Sequence, residues 1–360
     1  MTSEADIQLT EPVVADKKPC LVTLKKGRRY MWCSCGLSKK QPFCDGAHKG
    51  TGMEPLIFKA EADESVLLCA CKQTRSGPYC DGAHNNLDDT YAEASPEEIE
   101  MMAGAKEVSR SGGDYGKALL DGGAYVFTRN SALATKHGTL SVQSLISSAD
   151  GAEHLSAVSF DVVPGVSPWQ RRTSSDTVLF VTEGEGNVNI DGRLFSVGPE
   201  VGVYVKAGEG FRFETEMNMT LITAVCPEAD AVEWPMDISN SFDDEHSERC
   251  IAVDPAKAQV MADRFYQVLV DSEIGSHEVT QFLGEVPKSR AAMHRHLYEE
   301  AIVILSGEGM MWTGELRAPV KPGDIIFLPH RQGHSLECTS ESGMRLMGVF
   351  YPAGSPAINY

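Results

Sequence analysis

Residues that could bind one metal ion together lie in the C-terminal third of the sequence. His294 and His296 are separated by one residue, so they project to the same face of a strand, and Glu300 follows four residues later. A third imidazole, His334, comes after a second apolar stretch that ends at a proline. Three imidazoles and one carboxylate suit Fe(II), Mn, Ni, Cu or Zn. The pattern predicts a mononuclear metal site formed by His294, His296, Glu300 and His334.

The spacing around these ligands resembles the two sequence motifs of the cupins, a family of β-barrel proteins. Seven positions match: His294, His296, Glu300 and Gly307 in the first motif, and Gly323, Pro329 and His334 in the second. The second motif usually has glycine two residues after its proline, and Arg331 stands there in this sequence. Cupins with this ligand set include oxygenases, oxalate-degrading enzymes, isomerases and storage proteins. The resemblance implies a metal site in a barrel and leaves the reaction open.

Three side chains beside these ligands are candidates for handling substrate or protons. Tyr298 and Glu299 directly precede Glu300, and Arg331 lies in the turn before His334. An arginine can bind a carboxylate through two parallel hydrogen bonds. We therefore name Tyr298, Glu299 and Arg331 as candidate catalytic residues, with a structural position at the barrel mouth as the alternative for each.

The N-terminal quarter contains a repeated set of metal-binding residue types. Three cysteines and one histidine recur 36 residues later: Cys33, Cys35, Cys44 and His48, then Cys69, Cys71, Cys80 and His84. Such recurrence indicates two copies of one site. The residue types suit either zinc or an iron–sulfur cluster.

The local pattern, Cys-x-Cys followed by Cys-Asp-Gly-Ala-His, resembles the CDGSH family of [2Fe-2S] proteins, with alanine in place of the serine. The resemblance implies that each set of three cysteines and one histidine holds one cluster. A histidine in place of a fourth thiolate removes one negative charge and is expected to raise the reduction potential. Electron transfer is the implied role, and cluster donation or redox sensing are alternatives.

Composition restricts the partners that the protein can bind. The formal net charge is −19, but residues 1–50 hold nine Lys/Arg against five Asp/Glu. An acidic body argues against nucleic-acid binding, because phosphate contacts need lysine and arginine. The basic N-terminal face is interpreted as a docking site for a redox partner protein, with ordinary solvated surface as the alternative. Because no signal peptide and no apolar run of about 18 residues is visible, we expect a cytoplasmic protein without membrane contact.

Short alternating apolar segments dominate after residue 124, which is typical of β-barrels. Residues 178–186 parallel 301–309, so the chain contains two related barrels and resembles a bicupin. At the positions of the four C-terminal metal ligands, the first barrel has other residues: Arg171, Thr173, Thr177 and Phe211. Only the second barrel is therefore expected to bind metal.

The predicted fold is mostly β, with a small tandem CDGSH module followed by two cupin barrels of the double-stranded β-helix type. Its domains are a [2Fe-2S] module at 1–90, a linker at 91–120 with a helix starting near Ser95, a metal-free cupin at 121–232 and a metal-binding cupin at 233–360.

These residues together predict an iron-dependent oxidoreductase, specifically an oxygenase, acting on a small organic substrate. Two [2Fe-2S] clusters would supply electrons to Fe(II) in the C-terminal cupin, within one chain or between subunits of a homo-oligomer. One alternative is a redox or iron sensor with an effector-binding bicupin. Another is a redox-neutral isomerase or decarboxylase.

Overall fold

The computed structural model describes residues 12–16, 18–49, 51–74, 77–80, 104–113, 115–227, 231–238, 241–261, 263–296 and 298–356. The described residues up to 80 form one compact unit, and those from 104 to 356 form another. In the described residues almost all regular structure is β, as predicted, and the helical elements there are single 3-10 turns. Among the described residues, no helix has the length and apolar character needed to span a lipid bilayer.

The described part of the N-terminal unit contains four strands: β1 (Cys20–Leu24), β2 (Arg29–Trp32), β3 (Leu56–Lys59) and β4 (Glu64–Leu68). Strand β1 pairs antiparallel with β4, and β2 pairs antiparallel with β3. The 36-residue repeat makes β1 equivalent to β3, and β2 equivalent to β4. Each two-stranded sheet thus takes one strand from each repeat. Neither repeat can form its own sheet, so the two copies fold as one unit.

The second unit begins with short strands and continues through the first barrel. In chain order these are β5 (Lys106–Glu107), β6 (Ala118–Leu119), β7 (Tyr125–Thr128), β8 (Thr135–His137), β9 (Leu140–Ile146), β10 (Ser156–Val162), β11 (Gly165–Val166), β12 (Gln170–Arg171), β13 (Asp176–Glu183), β14 (Gly186–Ile190), β15 (Arg193–Val197), β16 (Val201–Val205), β17 (Gly210–Thr215) and β18 (Met219–Cys226).

The remaining strands are β19 (Cys250–Ala252), β20 (Gln259–Met261), β21 (Arg264–Val270), β22 (Thr280–Val286), β23 (Glu299–Ser306), β24 (Gly309–Trp312), β25 (Leu316–Val320), β26 (Asp324–Leu328), β27 (Ser335–Cys338) and β28 (Met344–Tyr351). The 3-10 turns are Asp121–Gly123, Ser131–Leu133, Ser148–Asp150, Asp244–His246, Pro255–Lys257 and Ser272–Ile274.

Two sheets build each barrel. The N-terminal barrel combines a seven-stranded sheet, in the order β19-β16-β13-β18-β10-β9-β8, with a smaller sheet, β11-β17-β14-β15, to which β12 adds at β17. The C-terminal barrel combines an eight-stranded sheet, β20-β21-β22-β28-β23-β26-β7-β6, with the smaller sheet β27-β24-β25-β5.

The two barrels exchange strands across the predicted domain boundaries. Strand β7 pairs with β26, so it lies in the C-terminal barrel although it was assigned to the first cupin. Strand β19 pairs with β16, so it lies in the N-terminal barrel although it was assigned to the second. The predicted linker also contributes β5 and β6 to the C-terminal barrel. Its helix near Ser95 lies outside the described residues.

Alternating side chains on the large sheets fill two cores. On β13, Val178 and Phe180 join the core shared by the two barrels, whereas Leu179 and Val181 face the interior of the N-terminal barrel. On β23, Ala301 and Val303 belong to the shared core. Alternation places Ala301 and Glu299 on the same face, and it turns Glu300 into the interior of the C-terminal barrel.

Candidate metal centres

The structure brings His294, His296 and His334 together in the C-terminal barrel. One ring nitrogen from each lies within 4.8 Å of the other two. The backbones of His294 and His334 are paired, with N–H to carbonyl distances of 3.0 Å and 2.8 Å. His294 and His296 occupy an extended segment before β23 rather than the predicted strand. The pairing with His334 provides the support that a regular strand would have given.

Backbone carbonyls orient two of the three imidazoles. The Nδ1–H of His294 donates to the carbonyl of Ala292 at 2.8 Å, and the Nδ1–H of His334 donates to that of Gln332 at 3.0 Å. Because a carbonyl can only accept, each ring keeps its Nε2 lone pair for another partner. Such bonds on the far nitrogen fix the tautomer and the orientation of a metal-binding histidine.

Glu300 completes the set of donors from β23. Its Oε2 lies 3.5 Å from Nε2 of His296. This oxygen is buried, and it has no hydrogen-bond partner among the described residues. Burial raises the pKa of Glu300 to about 8 and, with a smaller effect from the charge of Arg264, lowers the pKa of His294 to about 4. A buried acid without a partner beside neutral imidazoles is an arrangement that a metal cation would stabilise, so these residues fit a metal ion.

The Tyr298 side chain packs against His296, one of the candidate metal ligands. Its ring stacks on His296 with centroids 4.5 Å apart, and on Phe350 with centroids 4.0 Å apart. Tyr298 is itself buried. The stack restricts rotation of the His296 ring, so Tyr298 lies where it can position this ligand.

The contacts of Glu299 favour the structural alternative over the predicted catalytic role. Its carboxylate accepts backbone N–H groups from Glu153 at 2.6 Å and from His154 and Leu155 at 2.8 Å each. This loop precedes β10 of the N-terminal barrel. Glu299 therefore fastens one barrel to the other, and it lies on the opposite face of β23 from the histidines.

Arg331 adopts the backbone conformation of the glycine that it replaces in the motif. Its φ is +65°, in the left-handed region, and its N–H donates to the carbonyl of His296 at 2.9 Å. The turn is therefore kept, at the cost of strain in a residue that has a Cβ atom. The Arg331 side chain is exposed at this turn.

Arg264 at the start of β21 was not identified from the sequence. It donates from Nη2 to the carbonyl of Leu336 at 3.1 Å, and its charge acts on His294. No motif includes Arg264, because β21 comes close to the three histidines only when the barrel closes. Its distance from them in the sequence follows no fixed spacing.

The corresponding region of the N-terminal barrel has different chemistry. Arg171 contacts Oε2 of Glu233 at 2.9 Å through Nε and at 2.5 Å through Nη2. Phe211 belongs to the apolar interior of this barrel, and Thr177 is buried. In the described part of the two barrels, the three histidines of the C-terminal barrel are the group gathered closely enough to bind one ion.

The first cysteine set of the N-terminal unit is arranged as two close pairs. The Sγ atoms of Cys33 and Cys35 are 3.8 Å apart, and Sγ of Cys44 lies 3.2 Å from Nδ1 of His48. The Gly46 N–H donates to Sγ of Cys44 at 3.4 Å. Two close pairs of ligands suit the two irons of a [2Fe-2S] cluster, so this set fits an iron–sulfur cluster.

The second set reproduces the first in its described part. The Sγ atoms of Cys69 and Cys71 are 3.4 Å apart. The N–H of Cys80 donates to Leu67, as that of Cys44 donates to Met31. His84 lies outside the described residues.

Comparisons with known proteins agree with this division of the chain. The family described as "Iron-binding zinc finger CDGSH type" matches residues 6–49, and the family described as "Cupin domain" matches residues 284–350. The strands and the three-histidine site define a metal-binding bicupin. It follows an N-terminal domain of the CDGSH type in the same chain.

Three known proteins are similar in sequence to one or the other of these two parts of the chain. CDGSH iron-sulfur domain-containing protein 3, mitochondrial, is 55% identical over 53 residues in Mus musculus and over 56 residues in Homo sapiens, covering 14% and 15% of this chain. Oxalate-binding protein from Thermotoga maritima is 33% identical over 64 residues, 18% of this chain. The matches span 39%, 44% and 53% of those relatives, so each likeness concerns part of a protein.

Two solved structures share the double-barrel fold. A mutant of oxalate decarboxylase OxdC from Bacillus subtilis has a TM-score of 0.50 and 12% identity, over 63% of this chain and 76% of its own. Procruciferin, an 11S globulin from Brassica napus, has a TM-score of 0.51 and 11% identity, over 64% and 84%. These likenesses establish the bicupin fold.

Proposed function

We propose that the protein is an iron-dependent oxidoreductase whose reaction takes place at the C-terminal cupin. The observation that carries this proposal is the buried Oε2 atom of Glu300, which has no hydrogen-bond partner among the described residues and lies 3.5 Å from His296, one of three clustered imidazoles. The presence of this candidate metal site in a chain with a CDGSH-type domain favours redox chemistry over structural metal binding.

The ligands would be His294, His296, His334 and Glu300. A bound Fe(II) would supply an open, redox-active site at which O2 and a substrate can be activated, the chemistry of an oxygenase. The protein's own part is positional. Two backbone carbonyls hold the rings of His294 and His334, the Tyr298 ring holds that of His296, and the buried surroundings exclude water.

A small carboxylate is the substrate class that we propose. The Thermotoga relative is named for binding oxalate. In this chain Arg264 places a positive charge close enough to His294 to lower its pKa, and Arg331 lies in the turn before His334. Two cations near the site would favour an anion with one or two carboxylate groups.

Electrons would come from two [2Fe-2S] clusters, one in each repeat of the N-terminal unit. The second cluster is proposed from the repeated cysteines and from the shared hydrogen bonds, because the CDGSH family match covers the first repeat alone. We further propose a cytoplasmic location, a redox partner at the basic N-terminal face, and transfer within one chain or between subunits of a homo-oligomer.

Metal analysis and rapid mixing test this function. Anaerobically purified protein should contain about four cluster irons and one further iron. Chemically reduced protein is then mixed with O2 in the presence of oxalate, malonate or pyruvate, and the visible absorption of the clusters is followed. The proposal is supported if one carboxylate accelerates reoxidation of the clusters and if Glu300→Gln abolishes this acceleration. Rates independent of every carboxylate would contradict it, and a change in assembly without turnover would indicate a sensor.

The second candidate is a redox-neutral decarboxylase, because the Thermotoga relative is named for binding oxalate, a dicarboxylate that can lose carbon dioxide without net oxidation or reduction. It predicts carbon dioxide release that needs the cupin metal but not the clusters. Turnover that survives both Cys44→Ser and Cys80→Ser would therefore support the decarboxylase and contradict the electron supply.

A further inference from the structure

Lys72 is a buried lysine inside the N-terminal unit. It is only 5% exposed. Its ammonium donates to the carbonyl of Cys69 at 2.8 Å, and it lies 4.6 Å from the centroid of the Trp32 ring. Among the described residues, no carboxylate forms an ion pair with it, although a buried ammonium needs a compensating anion.

The anionic partners available to Lys72 are cysteines of both repeats. Its charge acts on Cys33 of the first set, on Cys69 and Cys71 of the second, and on Cys20, which lies outside both sets. Trp32, the residue before Cys33, donates its indole N–H to the carbonyl of Cys69 at 2.7 Å. The carbonyl of Cys69 thus receives one donor from each repeat, Trp32 from the first and Lys72 from the second.

The first repeat has no equivalent of this charge. The position 36 residues earlier is Gly36, with a φ of +83°. A Cβ atom there would lie 1.7 Å from the carbonyl oxygen of Val13. Lys72 shares the left-handed conformation, with a φ of +65°, but carries a side chain in spite of the strain. At this position, therefore, the two repeats have one lysine between them.

The charge of a loaded site indicates what this lysine does. A [2Fe-2S] core held by three thiolates and one neutral imidazole carries one net negative charge, and one-electron reduction adds a second. A fixed cation stabilises the more negative, reduced form more strongly. Because the cation is buried, solvent and salt screen its effect weakly.

We propose that Lys72 is a counter-charge shared by the two clusters, which raises the reduction potential of both and thereby favours electron loading of the pair. This inference rests on the proposed assignment of a [2Fe-2S] cluster to each repeat. The shared counter-charge gives the second repeat a role in addition to holding a second redox centre.

Redox titration of the full chain tests the inference. Lys72→Met removes the charge and keeps most of the side-chain volume, Lys72→Arg keeps the charge, and Lys59→Met removes an exposed positive charge from the same unit as a control. Visible and paramagnetic-resonance spectra of the anaerobic proteins give the midpoint of each cluster. We expect Lys72→Met to lower both midpoints, Lys72→Arg to stay near the wild type, and Lys59→Met to leave both unchanged. Unmoved midpoints in Lys72→Met, or a shift confined to one cluster, would overturn the shared role.

Iron and sulfide contents separate this inference from the proposed function. A wild type without cluster iron in both repeats contradicts the assignment of two clusters, whereas loaded proteins with unmoved midpoints contradict only the role of Lys72. Lys72→Gln is a second neutral variant. If both neutral variants fail to load clusters while Lys72→Arg loads them, the need for a counter-charge is supported.

Discussion

The carboxylates of Glu299 and Glu300 point to opposite faces of strand β23. Glu300 faces His296 inside the C-terminal barrel, and Glu299 accepts three backbone N–H groups from the loop at residues 153–155. Two neighbouring glutamates therefore have different roles. One belongs to the candidate metal centre, and the other joins the barrels.

Glu300→Gln should remove metal binding without unfolding the protein. Glutamine keeps the shape of the side chain but binds cations much more weakly, so we expect affinity to fall at least about 100-fold. The metal-free variant should be as stable as the metal-free wild type or slightly more stable, because an unpartnered buried acid is lost. Calorimetric metal titration and thermal unfolding measure the two effects.

Glu299→Gln, the matched variant, should give the opposite result. Its side chain presents an amide N–H₂ group to at least one of three backbone donors, so unfolding should become easier by about 1–3 kcal/mol. The metal stoichiometry should stay that of the wild type. Loss of metal at unchanged stability would show instead that Glu299 acts at the site.

The chain should bind one mononuclear metal ion outside its N-terminal unit. In the first barrel Arg171 is paired with Glu233, and Phe211 is part of an apolar interior. Titration of chain lacking cluster iron, with the N-terminal cysteines alkylated, should therefore saturate at one ion and fall to none in His334→Ala. A second ion that survives His334→Ala would indicate a site in the first barrel.

The gathering of the candidate metal ligands could be predicted from the sequence because their spacing is local. His294, His296 and Glu300 lie within one short segment, and His334 follows a recognisable turn. The exchange of β7 and β19 between barrels could not be predicted in this way. Alternation shows which face of a strand is buried, but not which strand lies beside it.

The contacts of Glu299 and Arg264 show the same limit. Alternation places Glu299 on the opposite face from Glu300, but its partner loop lies about 145 positions away in the sequence. Arg264 reaches His294 only after β21 joins the eight-stranded sheet. Residues that act through such long-range packing leave no signal in local spacing.

Removal of one partner from the buried pair Arg249–Glu209 should be strongly destabilising. Both side chains are fully buried, and Arg249 donates to the two Glu209 carboxylate oxygens at 2.9 Å and 2.7 Å. Arg249 directly precedes the exchanged strand β19. Arg249→Met should cost about 3–5 kcal/mol, because it leaves an uncompensated buried carboxylate.

A double-mutant cycle tests this pair. Adding Glu209→Gln to Arg249→Met should recover part of the loss, since the remaining charge is removed. Lys288→Met, which breaks the exposed pair with Glu341, is the control and should change stability by less than about 1 kcal/mol. Simple addition of the two single effects in chemical denaturation would contradict the coupling.

Arg331→Gly should stabilise the protein. Relief of the left-handed strain is worth about 1–2 kcal/mol, and the greater freedom of glycine in the unfolded chain costs about 0.5–1 kcal/mol, so the expected net gain is about 0.5–1 kcal/mol. Arg331→Ala keeps a Cβ atom and should show no gain. If alanine stabilises as much as glycine, the gain comes from losing the arginine side chain and not from the backbone. A stabilised glycine variant with slower turnover of the anionic substrate would show that the strain is retained for the sake of the guanidinium group.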